Sequence, residues 1–376
     1  MKLLERQECV LDKSRDLETL HTLPDFPVFM GCVDHPASED LVANQTWEIS
    51  RNTGILQLKY LIPLEILYQA QHAGAVGQIW MSHHSAFAKF IGCAKPKNIL
   101  ELGGAHGILS KLYTEIGNSS WTILEPNPAP VGGVTARYIR GFFDDRFVYN
   151  EPLDAVVHSH VFEHIYEPDR FMQNLANLMA EGKHLIFALP NMRVMLERKY
   201  TNCINFEHTV FLTEPYVEYL LGKHGFRVLR KEYFLEDHSI FYDAVRDSSA
   251  ISVDLSDSLY TRNKSLYLEY VKYHEILIEE LNQKMAASES PVYLFGAHVF
   301  AQYLIAYGLD TTRIVSILDN DPKKQGNRLY GTSLFVSSPK VLEDVESPVV
   351  ILKAGVYNDE IRQDILQNIN PNTSFV

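Results

Sequence analysis

Between Glu101 and Gly107 the chain reads ELGGAHG, directly after a β-branched and leucine-rich run that closes at Leu102. Gly103, Gly104 and Gly107 let such a turn bend sharply and bring bare backbone against a ligand, as a nucleoside is met where a strand ends and a helix opens. The next strand-like run, WTILEP, finishes in Glu125, and a carboxylate there can accept hydrogen bonds from both hydroxyls of a ribose. GFFDD, after the third run, offers Asp144 to the exocyclic amine of adenine. The fourth run, within LDAVVHSHVFEHIYEP, carries His160 to the carboxyl edge of the sheet, where open α/β sheets bind ligands. The turn reads E-x-G-G-x-x-G and departs from the G-x-G-x-x-G dinucleotide fingerprint, but spacing alone does not choose the cofactor, and a dinucleotide oxidoreductase stays open.

Residues of this kind need a sheet to carry them. Across residues 79–246, apolar runs (NILELG, WTILEP, LDAVVHSH, HLIFALP) alternate with amphipathic stretches starting at Ile108, Asp169 and Glu214. That alternation predicts an α/β domain with a doubly wound, mostly parallel sheet and helices on both faces. FRVLRKEYF and SIFYDAVR have no helix between them, which predicts an antiparallel finish. Ile79 to Gly92 predicts a helix feeding the first strand, with His83 and His84 on one of its faces. Residues 1–78, broken by Pro24, Pro27, Pro36 and Pro63, predict a small, loop-rich lobe. Residues 247–290 hold a Ser- and Asp-rich linker and one long amphipathic helix from Leu266 to Met285. In residues 291–376, YLFGAHVFAQ, IVSILDND and PVVILKAG repeat the strand, turn and helix logic, predicting a second, smaller α/β domain.

At 376 residues the chain is long enough for two or three domains and a sizeable core. Its 34 Lys and Arg against 47 Asp and Glu leave a net charge of −13, which repels phosphate backbones and anionic lipid and argues against nucleic-acid binding. Cys9, Cys32, Cys93 and Cys203 form no C-x2-C pair, and the charged start MKLLERQECVLDK lacks an apolar signal core. A reducing, cytoplasmic setting is expected. No stretch approaches the ~20 apolar residues of a membrane span.

Taken together, these strings resemble the class I S-adenosylmethionine-dependent methyltransferases over about residues 98–191. ELGGAHG looks like their glycine loop, Glu125 like their ribose-binding acid, GFFDD like their adenine-side loop, and SHVFEHIYEP like the H-V-L-E-H-x-x-D-P segment of many members. The resemblance implies a Rossmann-like central domain and S-adenosyl-L-methionine as cofactor, contacted by Glu101, Gly103, Gly104, Gly107, Glu125, Asp144 and His160. The three-part layout is further similar to the sugar C-methyltransferases that act on nucleotide-linked deoxyketosugars, whose pattern past the fifth strand is Y-H-E-H. Here the matching residues are Asn205, Phe206, Glu207 and His208. Methyl transfer is an in-line displacement, and a nucleophile that carries a proton must lose it to a base. The resemblance implies His208 as that base and Glu207 as its support, with Asn205 standing where the family has tyrosine; Tyr68 and Tyr200 are the phenols considered as its replacement. Tyr68, His72, Trp80, Asn191 and Asn205 are the candidate substrate contacts.

The lobes on either side extend the resemblance. FGA, LDNDPKKQG and YNDEIRQDI, between Gly296 and Ile361, are similar to the family's final domain and imply a second Rossmann-like unit. The family's N-terminal four-cysteine zinc site is represented by Cys9, Asp12, Ser50 and Thr53. One thiolate of four does not hold structural zinc, so no metal is expected. The expected partner is a small molecule, a nucleotide-activated sugar or related glycan precursor, methylated at carbon or, as the alternative, at oxygen by the same histidine. An NAD-dependent oxidoreductase and a non-catalytic binding module with an inherited fold are the rivals from other classes.

Overall fold

The computed structural model describes residues 2–68 and 77–376. Three sheets organise it. Near the N-terminus, β1 (Leu17–Pro27), β2 (Val42–Ser50) and β3 (Leu56–Leu58) form an antiparallel sheet. The lobe is therefore more ordered than the proline spacing predicts. Register shifts between Thr19 and His21 and between Leu23 and Phe26 break the two-residue alternation that would have exposed β1 in the sequence.

The central sheet contains β4 (Asn98–Leu102), β5 (Ser120–Glu125), β6 (Arg137–Arg140), β7 (Ala155–Ser159), β8 (His184–Pro190), β9 (Phe226–Phe234) and β10 (Ser239–Arg246). Its order is β9-β10-β8-β7-β4-β5-β6. The strands from β8 to β6 run parallel, and β10 inserts antiparallel between β8 and β9. Leu100, Val156 and Ile186 are wholly buried, as strands covered on both faces require. The covering helices include α1 (Gln78–Gly92), α2 (Ile108–Tyr113), α3 (Pro168–Leu178), α4 (Met192–Glu197) and α5 (Glu214–Lys223). Pro168 opens α3, where the missing N–H costs nothing, and Phe171, Met172 and Leu175 form its buried stripe.

Helix α6 (Ser258–Ala287) starts earlier than its apolar spacing predicts. Its first turns hold a buried polar residue, Asn263, whose amide donates to the Gly54 carbonyl and the Tyr216 hydroxyl. The C-terminal sheet is all parallel, in the order β13 (Val336–Ser337), β12 (Ile314–Leu318), β11 (Val292–Phe295), β14 (Val349–Leu352), β15 (Ser374–Phe375). Helix α7 (Val299–Ala306) follows β11. One apolar cluster joins Cys9 and Trp47 of the lobe, Phe187 of the central sheet, Tyr270 of α6 and Tyr303 of α7.

The four positions matched to lost zinc ligands come together through weaker links. Cys9 Sγ lies 3.5 Å from Thr53 Oγ1, the Thr53 amide donates to Ser50 Oγ at 3.2 Å, and Asp12 accepts from Asn52 at 3.3 Å. Among the described residues no helix is long and apolar enough to cross a membrane.

Candidate active site

Strands β4 and β5 end side by side, with Leu102 opposite Leu124, so the glycine turn and Glu125 emerge together at the carboxyl edge of the sheet. They border a cavity of about 990 Å³. Gly103 has φ +73°, and a Cβ on it would stand 2.6 Å from Val161 Cγ2; a Cβ on Gly104 would stand 2.7 Å from Glu101 Cδ. Both positions therefore demand glycine. Gly107 is not part of the cavity wall: it caps α2, close against the Tyr138 hydroxyl. The Glu125 carboxylate accepts from the Ala105 amide at 3.1 Å and from the Asn127 amide at 2.9 Å, which locks loop and acid to one another. Glu101 accepts the Trp121 indole proton at 2.7 Å. Burial, opposed by that hydrogen bond and reinforced by the charge of Glu125, pushes its carboxyl up to about 7. Asp144 borders the same cavity and is forked by Arg146 at 2.6 and 3.1 Å.

His208 and Glu207 enter the cavity from the segment before α5. Asn205 builds their turn by accepting from the Glu207 amide at 2.7 Å and the His208 amide at 3.0 Å. Its carbonyl oxygen is thereby engaged by backbone, although the residue borders the cavity. Nδ1 of His208 lies 3.0 Å from the Cys203 carbonyl, which only accepts, so the ring proton sits on Nδ1 and the lone pair on Nε2. The segment is held from outside the central domain. Leu58 donates to the Thr209 carbonyl at 2.8 Å, Phe211 donates to Leu56 at 2.9 Å, and the Tyr303 hydroxyl donates to the Ile204 carbonyl at 2.6 Å.

His160, at φ +54°, borders the cavity, with Nδ1 3.0 Å from Glu163 Oε1 and Nε2 2.8 Å from Ser239 Oγ. Trp80 borders it from α1 and meets the His160 ring edge-on at 4.9 Å. Tyr68 lies in the wall, its phenol raised well above the ordinary value by burial and then by Glu207. Tyr200 lies elsewhere, donating to Asp237 at 2.8 Å. Asn191 also stands apart from the cavity, at the start of α4, where its amide donates to the Glu236 carbonyl at 2.8 Å. His72 falls outside the described residues.

The wall also contains Glu163, His164 and Tyr166, and His298 and Phe300 at the start of α7. The first three belong to SHVFEHIYEP, where only His160 had been singled out. Glu163 is wholly buried. Burial works to raise its carboxyl, but His160, and then His164 and His208, hold it down at about 2. No local motif marks His298 and Phe300, because only the packing of the C-terminal domain against the sheet edge brings them in.

A sheet in this order, with its antiparallel hairpin and with a glycine turn and an acid ending adjacent strands, is the Rossmann-like methyltransferase fold. Residues 78–231 match the model of a family described as a methyltransferase domain, which supports an enzyme. None of the curated proteins matches the sequence. Similar solved structures include an S-adenosylmethionine-dependent methyltransferase from Mesorhizobium loti, at 15% identity over 46% of this chain and 100% of that one, with a TM-score of 0.36. An N-methyltransferase from Bradyrhizobium japonicum is similar at 13% identity over 46% and 99% of the two chains, with a TM-score of 0.35. Magnesium protoporphyrin IX methyltransferase from Synechocystis, solved with bound S-adenosylhomocysteine, is similar at 16% identity over 47% and 90%, with a TM-score of 0.36.

Proposed function

We propose that this enzyme methylates a carbon of a nucleotide-activated sugar or related glycan precursor, with His208 as the base. The cofactor is S-adenosylmethionine. When bound, it supplies an electrophilic methyl on a sulfonium, which requires a nucleophile held in line with it. The residues present fit that group: Gly103 and Gly104 line the cavity at positions where a Cβ would strike Val161 or Glu101, and Glu125 stands beside them as the acceptor for ribose hydroxyls. Asp144 is assigned to the adenine end.

On the substrate side, His208 takes the proton next to a ketone through Nε2, while its Nδ1–H stays on the Cys203 carbonyl and keeps the ring from turning. Glu207 and the buried Glu163 stabilise the charge the imidazole gains. Of the two phenols weighed as replacements, Tyr68 is on the cavity wall and Tyr200 is not, so Tyr68 is assigned the role of the family's tyrosine, at whose place stands Asn205 with its side-chain oxygen bound to backbone. The observation that carries this reading is that Glu125 and His208 face one cavity.

The test is conversion of S-adenosylmethionine with a panel of nucleotide-linked ketosugars and free glycan precursors, followed by mass and NMR location of the methyl. A new C–CH3 signal supports the reading, and an O–CH3 signal transfers the role of His208 to a hydroxyl. His208→Asn is expected to preserve cofactor binding and to lower turnover by roughly 100-fold or more. Undiminished turnover would reject the base.

A further inference from the structure

Behind the Trp80 wall of the cavity, three imidazoles from distant parts of the chain converge. His83 comes from α1, His160 from the end of β7, and His238 from the turn between β9 and β10. One ring nitrogen of each lies within 4.8 Å of the others. The ring centroids of His83 are 5.2 Å from those of both His160 and His238.

Hydrogen bonding accounts for two of the three rings. Ser239 Oγ lies 2.8 Å from Nε2 of His160 and 2.6 Å from Nδ1 of His238. His83 is fully buried, and neither of its nitrogens has a hydrogen-bond partner. Leaving a buried polar atom unpaired costs about 1–3 kcal/mol, and His83 does so twice. Its other ring neighbours are Phe87, Phe234 and Phe241, at centroid distances of 5.3 to 6.1 Å, with Trp80 at 5.4 Å and His84 at 5.5 Å.

We propose that His83, His160 and His238 form a binding site for a divalent transition ion of the zinc type. Three neutral imidazoles are a zinc donor set. Bonds of about 2.0–2.1 Å need donor atoms roughly 3.4 Å apart, so the ion draws the three rings slightly together. The second shell is already present: Nδ1 of His160 faces the Glu163 carboxylate, and Nε2 would exchange its 2.8 Å contact with Ser239 Oγ for the ion, giving a carboxylate–histidine–metal arrangement. The site ties α1 to the β9–β10 turn across the end of β7 and fixes Trp80 and His160 on the cavity wall. The expectation of no metal came from the N-terminal lobe, which this site does not involve.

The test uses the full-length protein stripped with chelator and titrated with Co2+ and Zn2+. Metal content, the visible absorption of Co2+ and the thermal midpoint are the readouts. One ion per chain is expected, with a rise in the midpoint. His83→Phe, which suits the surrounding aromatic rings, and His238→Gln, at a half-buried position of the turn, are each expected to weaken binding roughly 100-fold or more. Glu163→Gln should weaken it about 10-fold. A second triad, Glu163, His164 and His208, also lies within 4.8 Å, so His164→Gln serves as the control and should retain the ion. The proposal is overturned by absence of stoichiometric metal, by unchanged affinity in both His83→Phe and His238→Gln, or by loss of the ion in His164→Gln alone. These readouts need no substrate, so they stand or fall separately from the sugar assignment.

Discussion

Two carboxylates on adjacent strands, Glu101 and Glu125, border one cavity in different surroundings. Glu125 is held by two backbone N–H donors, and as the proposed ribose acceptor it would contribute charged hydrogen bonds worth about 1.5–3 kcal/mol each. Glu125→Ala is expected to weaken S-adenosylhomocysteine binding by roughly 10- to 100-fold in calorimetry; unaltered affinity would remove it from the cofactor site. Burial pushes the Glu101 carboxyl up to about 7 in the folded chain, against an ordinary value of about 4.5. The native state thus binds more protons than the unfolded one across that interval, and its stability falls as pH rises from about 4.5 through 7. Glu101→Gln keeps an acceptor for the Trp121 indole without the ionisation. The variant should match the wild type at pH 5 and exceed it at pH 8 by up to about 3 kcal/mol in denaturant titrations. Parallel curves at the two pH values would contradict a raised carboxyl.

At the scale of elements, much of the central sheet was legible because β4, β5, β7 and β8 are short, largely apolar runs. The residues that end β4 and β5 could therefore be placed from the sequence. What lay beyond reach depended on side chains joining distant segments. Arg6 is the clearest case: buried, it donates to the carbonyls of Leu58, Thr209 and Tyr166 and to Thr209 Oγ1, binding the lobe to the segment that carries His208. Nothing in its local sequence distinguishes it from a surface arginine. Asn205 is a similar case, since its work as an acceptor for the amides of Glu207 and His208 depends on the folded turn. Arg6→Met removes the donors while preserving much of the stem's volume. It should cost about 2–3 kcal/mol in stability. It should also lower kcat while leaving cofactor affinity within about twofold, because β4 and β5 do not depend on it. A change confined to cofactor affinity would mean that Arg6 does not position the base.

At the scale of the whole molecule, the cavity is closed by residues from all three sheets' neighbourhoods, with Met30 on the lobe side and His298 and Phe300 at the start of α7. The seam between lobe and C-terminal domain rests on a buried pair. Arg328 forks onto Asp40 at 2.6 and 2.9 Å, and its remaining donors reach the carbonyls of Thr332 and His35. Asp40 also accepts from the Gly331 amide at 2.7 Å. Truncating one partner of such a pair leaves the other charged and dry, at a cost of about 3–5 kcal/mol. Asp40→Ala should therefore lower the thermal midpoint and loosen the C-terminal domain against the cavity. Because Glu125 and the glycine turn belong to the central sheet, S-adenosylhomocysteine affinity should stay within about twofold. The proposed sugar substrate, if it lies against His298 and Phe300, should show a KM raised roughly tenfold, a loss of about 1.4 kcal/mol in its binding. Arg328→Met in the same background removes the stranded charge and should recover much of the stability without recovering KM, since the fork that aligns the two domains is still missing. Equal losses for cofactor and substrate in Asp40→Ala would show instead that the seam supports the central sheet itself.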